Sequence, residues 1–434
     1  MDTFTDVSSL EETSSTEIPV TPAKKRRFFI NHDFALLWTG QTISELGSHI
    51  TGTGLPLVAN LVLGATAVQM GLLTAAGMFP VLLIGLLAGV WVDRLRRRSI
   101  LIVADLSRAL LLLSIPVAAV LGWLGMGQLY VVAILVGVLT VFFEVANQSF
   151  LPVVVKREHI VEGNSKLSAS SSLAEVGGPA LAGGLVQAIT APFAILFDAL
   201  SFLISALCVG FIRLHEPEPV AVTERLRLWH EMREGLRLVL GNPVLRAIAL
   251  SSSTRSFFGG TFASLYGLFL IRELSVTPTF LGILIGVGGV GALLGAFMAR
   301  PLVRRFGTGK VLIGTTLLRG VTMPLTPLAS GPWIMVALML LLGQLVGDFA
   351  YEVYNIHTMS LLQTEVPDRF LGRASASMQF LVEGMVPVGA LLAGIVAEVI
   401  GMRPTLLIAS LLAFLLSSAW LIFSPVRCLR EPAS

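Results

Sequence analysis

An uncharged apolar run extends from Met70 to Val92 and ends in a cluster of basic residues. A helix of this length crosses the roughly 30 Å hydrocarbon core of a bilayer, so the run predicts a membrane-spanning helix. Arg94, Arg96 and Arg98 are among the residues that follow, and arginines concentrate at the cytoplasmic ends of membrane helices. The chain must therefore contain at least one membrane span whose cytoplasmic end follows Val92.

Apolar runs of similar length recur along the whole chain. Hydrophobic residues make up 54% of the 434 residues and charged residues only 13%, a balance that excludes an ordinary soluble globule. We predict an all-α membrane protein with twelve transmembrane helices. The predicted spans are 34–60, 70–92, 99–123, 128–150, 166–189, 192–213, 244–271, 279–302, 310–329, 332–355, 373–399 and 403–424.

Basic residues are concentrated in alternate loops. Of the 30 lysines and arginines, 25 lie in or close to the tails and loops that an even number of spans places on one side, two lie in or close to the loops of the other side, and three lie well inside spans. The positive-inside rule assigns the first side to the cytoplasm. We therefore expect a multi-pass protein of the cell (inner or plasma) membrane with both termini in the cytoplasm.

The two halves of the chain repeat each other. Arg108 falls on Arg319 at an offset of 211 residues, and Glu144 falls on Glu352 at an offset of 208, each within a longer stretch of matching residues. Parallel repeats of this kind are typical of secondary transporters whose substrate path lies between the halves. We therefore expect two pseudo-symmetric six-helix halves.

The repeat and the loop composition together predict five segments. The segment between the halves contains an amphipathic stretch, which we expect to lie along the cytoplasmic membrane surface; a calmodulin-like target is the alternative interpretation. The predicted segments are a disordered cytoplasmic tail (1–30), an N-terminal six-helix half (31–213), a cytoplasmic linker with the amphipathic helix (214–243), a C-terminal six-helix half (244–425) and a cytoplasmic tail (426–434).

The loop after the second span carries a spaced motif. It reads Gly89-x-x-x-Asp93-Arg94-x-x-Arg97-Arg98, and this spacing resembles the signature loop between helices 2 and 3 of the major facilitator superfamily of secondary transporters. The family's usual glycine two residues after the first arginine is an arginine here. In the family, the aspartate and the arginines brace the cytoplasmic ends of the two halves. The resemblance therefore implies that these five residues form a conformational gate.

Further segments resemble one branch of the superfamily. Asp105–Ala109, Phe197–Leu203 and Val366–Arg369 look like the drug and siderophore exporters, which include macrolide efflux proteins and the enterobactin exporter. The resemblance covers about residues 30–425. It implies the major facilitator fold and export of amphiphilic small molecules by alternating access, with proton antiport. Members of the branch export unlike compounds, so a siderophore or lipid exporter is an alternative, as is a membrane receptor or scaffold without transport.

A nucleotide site is disfavoured by its position. The segment from Gly286 to Gly291 matches the glycine pattern of dinucleotide-binding proteins, but it lies inside a predicted span and no strand precedes it. A small-residue face, Gly282, Gly286, Gly291 and Gly295, allows close packing on a neighbouring helix instead. We expect no enzyme activity, no cofactor, no metal site and no nucleic-acid partner. The expected partners of a monomeric chain are a small-molecule substrate, protons and membrane lipids.

Ionisable residues inside the spans are the candidates for chemistry. A charge at mid-membrane costs about 2.5–3.5 kcal/mol on the insertion scale, so each should pair, face water or act in function. Glu45 and His49 lie four residues apart on one face of the first span. Imidazole changes charge near neutral pH, so we predict that this pair is part of the proton-coupling site, with a structural hydrogen bond to a neighbouring helix as the rival interpretation.

The family resemblance extends the list of candidates. Spans 1, 4, 7 and 10 line the central cavity of major facilitator transporters, so charged residues in these spans are expected to face the substrate path. The candidates for proton coupling or substrate binding are Glu45, His49, Glu144, Arg255, Asp348 and Glu352.

Three further charges within the spans are expected to be structural. They are Asp105, Arg108 and Arg319. Asp105 precedes Arg108 by three residues and can neutralise it, whereas a threonine occupies the equivalent place beside Arg319. The partner of Arg319 must then come from another helix, with Asp348 and Glu352 as the alternatives.

Overall fold

The computed structural model describes residues 32–92, 95–155, 159–213 and 228–429. Within these ranges every assigned element is helical. In chain order the helices are α1 (His32–Leu61), α2 (Ala67–Val92), α3 (Arg97–Leu121), α4 (Met126–Val154), α5 (Ile160–Ile189), α6 (Ala191–Phe211), α7 (Leu228–Gly241), α8 (Pro243–Arg272), α9 (Pro278–Phe306), α10 (Thr308–Thr322), α11 (Leu325–Leu328), α12 (Trp333–Glu365), α13 (Asp368–Glu383), α14 (Met385–Ile400) and α15 (Met402–Ile422), with a 3-10 turn at Pro425–Cys428.

The predicted spans coincide with helical segments. In the part of the chain that the structure describes, nine segments are long and apolar enough to cross a membrane. The helices α1, α5 and α8 fall outside that group because they contain more polar residues, yet each has 30 residues. A helix of that length measures about 45 Å, more than the hydrocarbon core requires. The prediction of an all-α membrane fold is confirmed.

Two predicted spans, 310–329 and 373–399, each contain a break in the helix, although each remains one apolar segment long enough to cross a membrane. The first break separates α10 from α11 at Pro324, and the second separates α13 from α14 at Gly384. Proline has no N–H to donate to the carbonyl four residues earlier, so it interrupts the helical ladder. Pro387, in the first turn of α14, has this effect on the carbonyl of Glu383 at the end of α13.

Helix packing follows the internal repeat. In the N-terminal half, α1 packs on α5 and α6, α2 packs on α4, and α3 packs on α4 and α6. In the C-terminal half, α8 packs on α14 and α15, α9 packs on α12, and α10 packs on α12 and α15. The contacts between the halves, α5 with α9 and α2 with α14, are repeat equivalents of each other. This pairing is the expected pseudo-symmetric arrangement of two halves.

Small residues bring the halves together at one end of the molecule, which we call the loop end because it contains the α1–α2, α5–α6, α8–α9 and α14–α15 connections. A Cβ at Gly282 of α9 would lie 3.0 Å from the carbonyl carbon of Pro179 in α5, and one at Gly286 would also meet α5. Gly291 and Gly295 face α12 instead. The predicted small-residue face of this helix is therefore confirmed, and it serves two neighbours rather than one.

The second contact between the halves lies at the same end. A Cβ at Gly71 of α2 would lie 2.5 Å from the carbonyl oxygen of Ala390 in α14. Arg272 Nε donates a hydrogen bond of 2.9 Å to Asn60 Oδ1 across the halves. An apolar cluster drawn from both halves fills this end, whereas the cluster around Tyr354 comes from α7 and the C-terminal half. The described halves are thus closed against each other at the loop end.

The amphipathic helix of the linker packs on protein. Val239 of α7 is fully buried, and a Cβ at Gly235 would lie 2.8 Å from the carbonyl carbon of Arg373. Arg373 Nη1 donates to Glu234 Oε2 at 2.5 Å. This part of the apolar face of α7 therefore covers α13 rather than a membrane surface. The rest of the linker, 214–227, and the predicted tail 1–30 lie outside the described residues.

Candidate functional site

The face of α1 that carries Glu45 and His49 packs against α5. Ser171 Oγ donates a hydrogen bond of 2.6 Å to Glu45 Oε1, and a Cβ at Gly178 would lie 3.2 Å from His49 Cγ. Both side chains of the pair are half-buried. Among the described residues, no hydrogen bond joins Glu45 to His49. Glu45 therefore makes a hydrogen bond to a neighbouring helix, which is the structural role that the sequence analysis gave as the alternative to proton coupling.

Glu144 adds a second carboxylate from the same half. It lies on α4 with its side chain exposed, and its charge is attracted by Arg108 of its own half and repelled by Glu45 and by Glu383 of the other half. Gln41 Nε2 donates to Asn147 Oδ1 and links α1 to α4 nearby. The N-terminal half thus presents negative charge toward the C-terminal half.

A second pair of carboxylates between the halves is the repeat equivalent of the first. Glu352 on α12 lies close enough to Glu175 on α5 for their charges to repel. The offset of 208 residues that relates Glu144 to Glu352 also relates Glu175 to Glu383. Each half therefore contributes one carboxylate to each pair.

Arg108 is sealed inside the N-terminal half. Its Nη2 donates to Asp105 Oδ1 at 2.5 Å, and the two side chains are only 3% and 0% exposed. The guanidinium carbon lies 4.2 Å from the ring centroid of Phe143 and 4.1 Å from that of Phe202. A buried ion pair between two aromatic rings ties α3 to α4 and α6.

Arg319 is paired with Asp348, one of the two expected alternatives. Nη1 lies 3.3 Å from Asp348 Oδ1 and also donates to the carbonyl oxygen of Gly347 at 2.9 Å. Gln344 Nε2 donates to Asp348 Oδ2 at 2.6 Å, and Tyr266 Oη donates to Gln344 Oε1 at 3.1 Å. These residues border a cavity of about 210 Å³ between α8, α10 and α12. Asp348 is therefore already engaged in a network within its own half.

Arg255 lines a second cavity, of about 290 Å³, bounded by α8, α12 and α13. Its guanidinium carbon lies 3.8 Å from the ring centroid of Tyr354 and 5.3 Å from that of Tyr351. Asn355 and Glu383 lie on the same wall. This cavity brings together a guanidinium, the phenol ring of Tyr351, an amide and a carboxylate, groups that suit a small polar or amphiphilic ligand.

The family model of the transmembrane secretion effectors, a family of the major facilitator superfamily, matches residues 28–433. The chain belongs to this family. This major facilitator transporter is 27% identical to the multidrug efflux pump Tap of Mycolicibacterium fortuitum, over 84% of this chain and 90% of that protein. It is 22% identical to macrolide efflux protein A of Streptococcus pyogenes, over 87% of this chain and 93% of that protein. The solved structure of a bacterial homologue of the iron transporter ferroportin, in an inward-facing state, shares the fold with a TM-score of 0.70 at 17% identity, covering 90% of this chain and 98% of that one.

The loop that first suggested the major facilitator superfamily is only partly described. Asp93 and Arg94 lie outside the described residues, Gly89 lies within α2, and Arg97 begins α3. Arg98 Nε donates to the carbonyl oxygen of residue 209 at 3.2 Å, and Nη2 donates to that of residue 210 at 2.5 Å. Arg98 therefore caps the carbonyls at the end of α6. The gate itself stays a prediction.

Sequence reasoning missed three residues of this transporter. Asp198 is 1% exposed, accepts a hydrogen bond of 3.0 Å from Ser201 Oγ, and lies near Arg108. Its position inside an apolar span was the signal that should have selected it. Gln344 and Tyr266 carry no charge, so nothing in the sequence marked them as neighbours of an ion pair.

Proposed function

We propose that this chain exports amphiphilic, drug-like small molecules across the cytoplasmic membrane by alternating access, in exchange for protons. The observation that carries the proposal is the cavity beside Arg255, which is lined by polar groups within the membrane fold. Ionisable groups are costly at that depth and are found where substrates or protons pass. The named efflux activities of two relatives support export and a drug-like substrate.

The distribution of basic residues supports a cytoplasmic location for both termini. The halves pack together at the loop end, which is then the outer side, so the outer side is closed in the described state. A substrate enters the cavity from the cytoplasm and leaves after the contacts between α5 and α9 and between α2 and α14 have separated. Asp93 and Arg94 then brace the cytoplasmic ends of the halves.

Proton exchange is assigned to the carboxylates near the interface of the halves. Glu45, Glu144 and Glu352 are the proposed proton-binding groups, with His49 beside the first. A proton and a cationic group of the substrate compete for the same carboxylates, which is the property that exchange requires. Asp348 is assigned to the network that holds α10 and α12 together, because Arg319 and Gln344 already occupy its oxygens.

Export is tested in cells that lack their own major exporters and express the chain. Susceptibility is measured against a panel of amphiphilic antibiotics, siderophores and lipophilic toxins. We expect tolerance to rise for amphiphilic antibiotics, and everted vesicles from these cells to accumulate the same compounds. Tolerance or release confined to siderophores would establish the alternative exporter, and ligand binding without accumulation would establish a receptor.

A further inference from the structure

Arg255 differs from the other arginines inside the spans in its surroundings. Arg108 Nη2 lies 2.5 Å from Asp105 Oδ1, and Arg319 Nη1 lies 3.3 Å from Asp348 Oδ1. Among the described residues, no carboxylate lies within ion-pair distance of Arg255, whose contacts are the rings of two tyrosines. An arginine at this depth without a counter-charge is costly, so it marks a place where an anion is bound.

The aromatic surface under Arg255 is held in place. Tyr354 is 1% exposed, and its hydroxyl lies 3.1 Å from Ser252 Oγ. The ring of Tyr351 contacts two arginines. Its centroid lies 5.3 Å from the guanidinium carbon of Arg255 and 4.7 Å from that of Arg319. The rings hold the guanidinium in place, and Arg255 itself forms part of the cavity lining.

The wall of the same cavity carries a carboxylate, Glu383. Glu383 Oε1 accepts a hydrogen bond of 3.2 Å from Gln379 Nε2. Asp348 on the other side is occupied by Arg319 and Gln344. Within the described residues, the guanidinium of Arg255 and the carboxylate of Glu383 line one cavity without forming an ion pair.

The N-terminal half also contributes carboxylates near the interface. Glu45 and Glu144 are carboxylates of the N-terminal half, and neither forms an ion pair within the part of the chain that the structure describes. A ligand beside Arg255 therefore meets one guanidinium together with carboxylates that come from both halves. A zwitterion can pair with both kinds of group, whereas a simple cation leaves Arg255 without an anion.

We infer that Arg255 binds an acidic oxygen group of the substrate, and that the preferred substrates are zwitterionic amphiphiles with an amine at the other end. The inference rests on the proposed function, because it assigns a charge pattern to the exported compound. A planar guanidinium donates two parallel hydrogen bonds to a carboxylate, a geometry that a lysine cannot reproduce.

The test uses two fluorescent probes that differ in a single group: the methyl ester of a rhodamine, which is a cation, and the corresponding free acid, which is a zwitterion. Binding of each to the purified full-length protein is measured by fluorescence anisotropy. We expect wild-type protein to prefer the free acid. Arg255→Met should weaken binding of the acid about tenfold or more and leave the ester within about twofold. Arg255→Lys should restore part of the preference.

Arg246→Met is the matched control, since it removes a positive charge from an exposed site on the same helix, α8, and should change neither affinity. Equal loss of both probes in Arg255→Met would show a structural role and overturn the inference. Equal binding of acid and ester by the wild-type protein, or binding of neither, would overturn it as well.

Transport of the same probes separates this inference from the proposed function. Proteoliposomes that transport the ester or other cationic drugs but not the acid would retain the proposed export and overturn the zwitterion preference. Arg255-dependent binding of the acid without accumulation of either probe would support the anion site and contradict export.

Discussion

Gly183→Ala should shift this transporter away from the state that is closed at the loop end. A Cβ at Gly183 in α5 would lie 3.0 Å from the carbonyl carbon of Pro278 and 3.1 Å from Thr279 Cα in α9, and closer still to the Pro278 oxygen. These are backbone atoms, so no side-chain rotation can relieve the clash. Overpacking of this kind costs about 1–3 kcal/mol. Because the clash exists only while the halves touch, the ratio of the two states should change by about 5- to 150-fold.

The shift is measured as a distance between the halves. Spin labels at Val62→Cys and Val399→Cys report the separation at the loop end, because both residues are exposed and belong to different halves. The free cysteines Cys208 and Cys428 are replaced by serine in this background. Gly183→Ala should increase the population at long distances, with efflux slowed because the closed state is reached less often.

Gly184→Ala is the matched control. Its Cβ would meet nothing within 4 Å, so this neighbouring substitution on the same helix should leave the distance distribution unchanged. The reasoning is refuted if Gly183→Ala and Gly184→Ala give the same distribution, or if Gly183→Ala lowers the melting temperature without changing the distances.

Three further outcomes are expected. Asp105→Asn leaves Arg108 buried without its partner and should lower the free energy of unfolding by about 3–5 kcal/mol, read as a lower melting temperature in detergent; an unchanged melting temperature would show that other acids neutralise this arginine. Glu45→Gln should abolish efflux driven by a proton gradient while substrate exchange at zero gradient survives, and equal loss of both would remove Glu45 from the coupling site. A cysteine at Gly125 should react with an impermeant reagent from outside whereas one at Thr308 should not, and the reverse pattern would invert the topology.

The helical plan could be predicted because hydrophobic run length and internal repetition are properties of sequence. The equivalence of Arg108 with Arg319 placed both on corresponding helices, and the packing of α3 and α10 on equivalent neighbours agrees with that register. The breaks at Pro324 and Gly384 were missed because an apolar run continues through them. The length of an apolar run therefore predicts that the segment crosses a membrane, but it does not predict where the backbone hydrogen bonds of the helix are interrupted.

The charge pairing inside the bundle could be predicted only where the partners share a helix. Asp105 and Arg108 lie one turn apart, so sequence spacing was sufficient. Arg319 had two alternatives on α12, and the choice of Asp348 depends on how α10 and α12 are turned toward each other. That Arg255 has no carboxylate within ion-pair distance among the described residues could not be predicted either, because it depends on the positions of all surrounding helices.

Proton-coupled export is tested most directly with purified protein in proteoliposomes oriented inside-out. The substrate is a compound whose tolerance the chain raises in cells, and the interior is made acidic relative to the bath. We predict accumulation of the compound above its external concentration, lost when a proton ionophore collapses the gradient. Accumulation that is indifferent to the gradient, or binding without any accumulation, would contradict proton-coupled export.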